Sequence, residues 1–183
     1  MFVLEITRVL FYNSKMITIK KTQEKDLANS FIFLQKTWLE TYVDLGIKKE
    51  NIVKSFPGKK NWCKNFKKAI RESKIISFVA KSDKKIIGLI FGFKKDQNLI
   101  IQSLYINKKF QGKGIGFSLL QKIESYSGEK IYLNVLAVNK KARLFYEKNN
   151  YKNTNKYKMF KINKEKKRDY IYYKNSNKSK DNI

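Results

Sequence analysis

Residues 99–120 read LIIQSLYINKKFQGKGIGFSLL, and they join a hydrophobic run to a glycine-rich loop and the start of a helix. Leu99 to Ile106 is apolar and rich in β-branched and aromatic side chains, which predicts a buried strand. Apolar side chains return at helical spacing from Phe117. Glycines at the mouth of a helix let backbone N–H groups approach an anion, and the helix dipole favours its charge. The stretch therefore predicts an anion-binding loop, in the first place for a pyrophosphate.

The glycine spacing separates this loop from two familiar phosphate motifs. A P-loop has the order G-x-x-x-x-G-K-[ST], but Gly112 and Lys113 are followed by Gly114. A dinucleotide fingerprint, G-x-G-x-x-G, needs a third glycine where Phe117 stands. Two interpretations remain for the order Q-x-x-G-x-G that begins at Gln111. It is either a specific cofactor loop or a plain glycine-rich turn between a strand and a helix.

Length and composition limit the class of protein. The chain has 183 residues, of which 42% are hydrophobic, and this suits one domain with a single core. No apolar run approaches the ~20 residues of a membrane span, and the N-terminus lacks the features of a signal peptide. We therefore expect a cytoplasmic protein with no membrane partner. One cysteine (Cys63) and no histidine exclude an internal disulfide and His-dependent nucleophilic catalysis, and they predict no metal site.

The formal net charge is +26, which has two explanations. A nucleic-acid or ribosome partner would use lysine and arginine to displace counterions from phosphates. Compositional bias is the other explanation, because Lys, Asn, Ile, Tyr and Phe are all abundant. The charge is spread along the chain rather than gathered in one stripe, which favours bias. A basic RNA- or ribosome-associated binding protein therefore stays as the alternative function, and either way the field attracts anionic ligands.

Hydrophobic periodicity predicts a mixed α/β domain over residues 16–174. Its sheet has six to seven strands and is flanked by about four helices. Strands are predicted at 16–20, 74–81, 85–93, 99–106, 130–138, 156–162 and 169–174. Helical patterns follow Thr22 to about Val43 and occupy 47–56, the region of 62–70, 113–126 and 139–150. A strand–helix–strand crossover predicts parallel pairing of 99–106 with 130–138.

Three local features complete the organisation. Gly88 and Gly92 lie inside a predicted strand, which indicates bulges or close backbone approaches. Residues 1–15 are either an N-terminal extension, a product of an alternative start, or an extra strand. Residues 175–183 are polar and are predicted to form a disordered tail.

Two independent segments carry a resemblance to a known family. The first is the strand ending SLYI with the loop QGKGIG, and the second is YLNVLAVN followed by the helix NKKARLFYEKNNY. Their order and spacing over residues 74–151 resemble the acetyl-CoA half of the GNAT superfamily of N-acetyltransferases. The resemblance implies a GNAT-type α/β fold in which strands 99–106 and 130–138 splay apart. It also implies direct transfer of acetyl from acetyl-CoA to an amine.

The resemblance implies where acetyl-CoA, the co-substrate, would bind. The pantetheine arm would pair with the backbone of the first splayed strand, which carries a bulge expected near Ile106. The glycine loop would hold the pyrophosphate, and Asn139 would bond the arm. Lys140, Lys141 and Arg143 are candidates near the adenosine phosphate, although a solvated helix surface is slightly favoured for each of them taken singly. The expected cofactor-binding residues are Leu104, Tyr105, Ile106, Gln111, Gly112, Lys113, Gly114, Ile115, Gly116, Asn139 and Arg143.

Catalytic roles are implied only in part. Tyr146 matches the family tyrosine that protonates the departing CoA thiolate, and the alternative is a core aromatic residue. Gln102 stands where the family often has glutamate, so the general base is unassigned, with Glu40 a weaker candidate. A member that binds CoA without turnover is therefore a further alternative. The acceptor amine is not identified, a homodimer is left open, and the acids of the first helices are the place to look (Glu24, Asp26, Glu40, Asp44 and Glu50).

Overall fold

The computed structural model describes residues 8–12 and 15–176, which form one eight-stranded sheet and five α-helices. The strands are β1 (Arg8–Tyr12), β2 (Lys15–Lys21), β3 (Ile76–Ser82), β4 (Lys85–Lys95), β5 (Asn98–Ile106), β6 (Lys130–Leu136), β7 (Lys152–Ile162) and β8 (Glu165–Asn175). The helices are α1 (Leu27–Asp44), α2 (Lys49–Ser55), α3 (Lys59–Arg71), α4 (Ile115–Glu124) and α5 (Lys140–Lys148). Short 3-10 turns at 24–26 and 108–110 precede α1 and α4.

The sheet is mixed, with the strand order β1-β2-β3-β4-β5-β6-β8-β7. Neighbouring strands are antiparallel except β5 and β6, which are parallel and joined by α4. One core lies under α4 and α5 and contains Leu119 and Tyr146, while a second lies under α1 and α3 and contains Leu34 and Phe66. The predicted α/β architecture and the parallel crossover are confirmed.

The count of elements differs slightly from the prediction. The sheet has eight strands rather than six to seven, because residues 8–12 of the expected extension pair with β2 as β1. Five α-helices take the place of about four, since the short stretch at 49–55 forms a full helix. In the described residues, no helix is long and apolar enough to cross a membrane. Most of the predicted tail, residues 177–183, lies outside the described residues, as do 1–7 and 13–14.

A bulge in β5 marks the place where two central strands separate. Phe91 of β4 pairs with Ser103, and Gly92 pairs with Ile101, so Gln102 is an extra residue in β5. Parallel pairing of β5 with β6 covers only residues 99–101 and 131–133 of these fully described strands. The predicted splay is confirmed, because β5 and β6 part from Gln102 onward. The bulge position predicted near Ile106 is wrong, since Ile106 pairs regularly with Gly88.

Gly92 is the residue that allows β4 and β5 to approach at this bulge. A Cβ there would lie 2.4 Å from the carbonyl oxygen of Ile100, which is backbone and cannot move aside alone. Gly88 is also tight, with a Cβ position 2.9 Å from the Ile106 side chain. The close backbone approach is therefore confirmed at Gly92, whereas Gly88 meets side chains and lies beside a register shift, since Ala80 pairs with Gly88 and Lys81 with Ile86.

Replacing Gly92 with alanine should destabilise the fold by ~3 kcal/mol or more, because overpacking against backbone forces the strands apart. Urea unfolding followed by circular dichroism measures the loss. Gly116→Ala is the control, because its Cβ would make ordinary contacts at 3.5 Å within a helix. That variant should be as stable as the wild type or more so. Equal stability of the two variants would contradict this account of the bulge.

Candidate active site

A cavity of about 680 Å³ opens where β5 and β6 separate. Its walls come from the second half of α1, the end of β5, the glycine loop, and the N-terminal turns of α4 and α5. Most of the residues predicted for the site line it, namely Leu104, Tyr105, Ile106, Gln111, Gly112, Gly114, Gly116, Asn139 and Tyr146. Segments 104–116 and 139–146, predicted separately from the sequence, therefore meet at one place.

The glycine loop is built to present backbone N–H groups. Gly112 and Gly114 have φ angles of 77° and 75°, a conformation that side chains disfavour. Gly114 is the N-cap of α4, whose first-turn N–H groups have no partner within the helix. The Gln111 side chain fixes the loop to β5 by donating to the Ile106 carbonyl at 3.0 Å, and Lys141 Nζ lies 2.5 Å from its oxygen. Such a helix start suits an anion.

Three predicted residues do not line the cavity with their side chains, namely Ile115, Lys113 and Arg143. Ile115 is buried in the core, so only its backbone is available to the loop. Lys113 Nζ lies 2.5 Å from the Lys109 carbonyl and stacks on the Phe110 ring at 5.2 Å. These contacts leave the predicted roles of both residues in cofactor binding as predictions.

Arg143 is held within a network between α5 and β8. Its Nε donates to the Tyr172 hydroxyl at 3.1 Å, and that hydroxyl donates to Glu147 at 2.8 Å. A second guanidinium nitrogen donates to the Ala137 carbonyl at 3.3 Å, and the group lies 5.3 Å from the Tyr170 ring. The hydrogen bond with Tyr172 is the main reason that the pKa of Arg143 is raised. The structure thus gives Arg143 a role in packing, and its contact with a cofactor stays a prediction.

Asn139 has two roles in the site. It is the N-cap of α5, where its Oδ1 accepts from the Ala142 N–H at 3.0 Å, and it lines the cavity. Because the oxygen is committed to the helix, the side-chain amide NH₂ is the group that could donate to a ligand.

Tyr146 lies on α5 and is 8% exposed, with its ring against Phe145 and Tyr151 at centroid distances of 5.2 and 5.5 Å. Burial raises the pKa of its hydroxyl above 10. Among the described residues, no group hydrogen-bonds the Tyr146 hydroxyl. The hydroxyl of its neighbour Tyr151 donates to Glu124 at 2.7 Å. Tyr146 is therefore a protonated phenol at the cavity wall, fixed by aromatic packing.

Two further tyrosines, Tyr105 and Tyr42, lie across the cavity from Tyr146, on the α1 side of the sheet. The Tyr105 hydroxyl donates to the Tyr42 hydroxyl at 3.3 Å, and burial raises the pKa of both groups. Tyr105 packs with the core under α1, whereas Tyr146 packs with the core under α4 and α5. The two faces of the sheet each contribute a tyrosine to the cavity.

The candidates for a base remain outside the cavity. Gln102 is exposed at the bulge, and Glu40 lies 4.0 Å from Lys36 on the surface of α1. Of the acids in the first helices, only Asp44 lines the cavity, and Lys108 lies 2.5 Å from its carboxylate. Asp26 instead pairs with Lys81 at 2.5 Å on β3.

Several lining residues were not predicted. They are Thr37, Thr41, Leu45, Lys108, Phe110, Phe117, Ala142 and Phe145, whereas Lys141, a candidate for the adenosine phosphate, does line the cavity. Thr37 and Thr41 lie four residues apart on α1, and this spacing of small polar residues on one helix face was the available signal. Across residues 8–12 and 15–176, no group of three potential ligand side chains could hold a metal ion.

The sequence profile of the acetyltransferase (GNAT) family matches residues 36–151. No curated protein sequence matches the chain. Among solved structures, the PaiA N-acetyltransferase of Thermoplasma acidophilum in complex with coenzyme A is similar, with a TM-score of 0.71 and 21% identity over 87% of this chain and 98% of that one.

Two further structures share the fold. The ribosomal-protein-S18-alanine N-acetyltransferase of Escherichia coli has a TM-score of 0.67 and 15% identity, covering 92% of this chain and 99% of its own. The spermidine N-acetyltransferase of Vibrio cholerae, in complex with CoA and spermine, has a TM-score of 0.63 and 20% identity, covering 87% and 95%. At these identities the likeness concerns the fold.

Proposed function

The chain belongs to the acetyltransferase (GNAT) family, and from this premise we propose that it transfers acetyl from acetyl-CoA directly to a primary amine, with Tyr146 as general acid. The resemblance predicted from its sequence is confirmed, the protein is an acetyltransferase, and acetyl-CoA is its co-substrate. The identity of the amine and the roles of individual residues belong to the proposal.

The separation of β5 from β6 at a glycine-lined cavity is the observation that carries this proposal. Beyond Gln102, the backbone of β5 on the β6 side has no strand partner in the described part of the chain, so an extended ligand can hydrogen-bond there as an added strand would. Leu104 and Ile106 would supply these backbone groups. Gly112 and Gly114 would let the loop approach the pyrophosphate, and Asn139 would donate its amide to the arm.

Acetyl-CoA supplies the reactive thioester, and the protein positions it and moves protons. The thiol that leaves has an ordinary pKa near 8.5, and a phenol of pKa near 10 can protonate it when the two are aligned. Tyr146 is suited to this step because the residue lines the cavity and its hydroxyl has no competing partner among the described residues. Its raised pKa keeps the proton in place until the thiolate forms, but it also makes Tyr146 a weaker acid than an ordinary phenol, so the transfer depends on close alignment with the thiolate.

Calorimetric titration with acetyl-CoA at ~0.3 M salt tests the co-substrate site, because screening suppresses non-specific binding of polyanions. We expect micromolar binding of acetyl-CoA and much weaker binding of ATP. Release of free thiol in the presence of an amine panel would then establish turnover. Equal binding of acetyl-CoA and ATP would instead support the alternative of a basic nucleic-acid-binding protein.

A further inference from the structure

A buried carboxyl lies close to the cavity on the side opposite Tyr146. Asp169 of β8 is 7% exposed and pairs in register with Leu136 of β6 and Lys158 of β7. Directly paired residues of antiparallel strands point to the same face of the sheet. Leu136 packs in one cluster with Tyr42, so Asp169 also faces α1. Among the described residues, no hydrogen bond or ion pair reaches its carboxylate.

Tyr42 connects this carboxyl to the cavity. Its ring stacks on Phe160 of β7 at 5.7 Å, and its hydroxyl accepts from Tyr105 of β5. In the sheet, β6 and β8 lie between β5 and β7. The Tyr42 side chain therefore lies across the two strands that carry Leu136 and Asp169. Because Tyr105 lines the cavity, the carboxylate lies one aromatic layer behind the wall on the α1 side.

The ammonium group of an acceptor needs a negatively charged partner in a protein whose net charge is +26. Among the described residues, the one acid that lines the cavity is Asp44, which Lys108 neutralises at 2.5 Å, and Lys141 also lines the cavity. Asp169 makes no ion pair with a described residue, although Lys158 lies opposite it on β7. We propose that Asp169 supplies the negative charge that holds the acceptor's ammonium group beside the Tyr42–Tyr105 pair, and that the acceptor is an amine with a single positive charge.

The rest of the acceptor would meet neutral surface. The cavity wall contributed by α1 and its C-cap residue contains Thr37, Thr41 and Leu45 besides the paired Asp44. Because Lys108 and Asp44 neutralise each other, a second or third ammonium group would find no unpaired acid on this wall among the described residues, and near Lys141 a like charge would repel it. This inference rests on the proposed function and extends it to the class of acceptor and to Asp169 as the residue that positions it.

The ionisation of Asp169 gives the proposal a pH signature. Burial raises the pKa of its carboxyl from 3.8 to about 6, while Lys158 opposes the shift. The groups that face it are Lys158 from β7, Tyr42 from α1, Leu136 from β6, and Lys167 on its own strand. Above pH ~6 the carboxylate is charged, so affinity for an ammonium group should increase as the pH rises through this value.

The raised pKa of Asp169 has opposite effects on the stability of the fold and on the binding of an ammonium group. A carboxyl whose pKa is raised in the folded state favours folding when protonated, and this contribution is lost as the pH rises from about 4 to about 6. At pH 7.5 the wild type therefore contains a buried charge that asparagine would not introduce. Asp169→Asn should fold at least as stably as the wild type, so lost binding could not be attributed to unfolding.

Equilibrium binding of phenethylamine and spermidine to the full chain, at pH 5 to 8.5, tests the proposal without needing turnover. We expect the wild type to bind phenethylamine more tightly than spermidine, with affinity rising through pH ~6. Asp169→Asn should lose about tenfold in affinity and lose the pH dependence, because one buried charge is removed. Asp96→Asn is the matched control, since Asp96 is exposed in the β4–β5 turn with φ 54°, which asparagine tolerates.

The outcomes separate this inference from the proposed function. Unchanged phenethylamine binding in Asp169→Asn, or tighter binding of spermidine than of phenethylamine, would overturn it even if acetyl transfer is observed. Absence of phenethylamine binding to the wild type would also overturn it. Failure of the wild type to bind acetyl-CoA would instead contradict the proposed function. Where transfer occurs, Asp169→Asn should raise KM for the amine at pH 7.5 far more than it lowers kcat and leave the Kd of acetyl-CoA unchanged.

Discussion

Replacing Tyr146 with phenylalanine is expected to lower kcat by ~100-fold or more while leaving the affinity for acetyl-CoA intact. The change removes one hydroxyl that lines the cavity and keeps the ring that packs against Phe145 and Tyr151. No hydrogen bond to a described residue is lost, so the free energy of unfolding should hardly change. Steady-state kinetics by thiol release and calorimetric titration of acetyl-CoA provide the two measurements.

The pH dependence of this variant is informative. Burial raises the pKa of Tyr146, so the phenol stays protonated throughout the neutral range and gives the wild type no alkaline limb there. The loss of kcat in Tyr146→Phe should therefore be the same at every pH from 6 to 9. Tyr132→Phe is the matched control, because this half-buried tyrosine on β6 packs on Tyr173 and does not line the cavity. Unchanged kcat in Tyr146→Phe would remove Tyr146 from the mechanism.

Replacing Gly114 with valine is expected to weaken acetyl-CoA binding by ~100-fold or more, because the left-handed backbone costs ~1–2 kcal/mol and charged hydrogen bonds to the loop are lost as well. Gly114 has a φ of 75° and caps α4. No atom lies within 4 Å of its Cβ position, so the defect is one of backbone conformation and of bulk at the cavity wall.

Gly46→Val provides the control for backbone strain. Gly46 has a φ of 78°, open space around its Cβ position and no place in the cavity wall. Both variants should therefore lose similar stability in urea unfolding, while only Gly114→Val should lose acetyl-CoA affinity in the titration. Retained affinity in Gly114→Val would show that the loop does not hold the pyrophosphate.

Much of the fold could be predicted because its elements have strong local signals. The apolar runs at β3 to β6 are long enough to identify as strands, and the crossover through α4 dictates parallel pairing of β5 with β6. The signal for β1 is weak, because residues 1–15 alternate only in part, and an extension or an alternative start explains them as well as a strand does. The bulge could not be placed, because register depends on which residue opposes Gly92 rather than on any signal in β5 itself.

The candidate site was predictable where its residues are close in sequence. The glycine loop and the start of α5 each carry a motif, and the structure brings them to one cavity. Asp169 and Arg143 depend on contacts between distant segments. Asp169 begins the predicted strand 169–174 and resembles the end of a charged turn, and only the sheet order brings it under Tyr42. The sequence predicts that Arg143 is exposed on its helix, whereas its guanidinium group donates a hydrogen bond to Tyr172 of β8.

The parting of β5 from β6 gives the sheet a third edge in its interior, in addition to β1 and β7. Exposed strand edges invite pairing with other polypeptides, and proteins usually protect them with charge or with covering elements. This inner edge is enclosed by α1, α4 and α5, which leave a narrow cleft rather than an open flank. These helices therefore cover the inner edge as other proteins cover an exposed strand, while the cavity of about 680 Å³ beside it leaves room for an extended ligand.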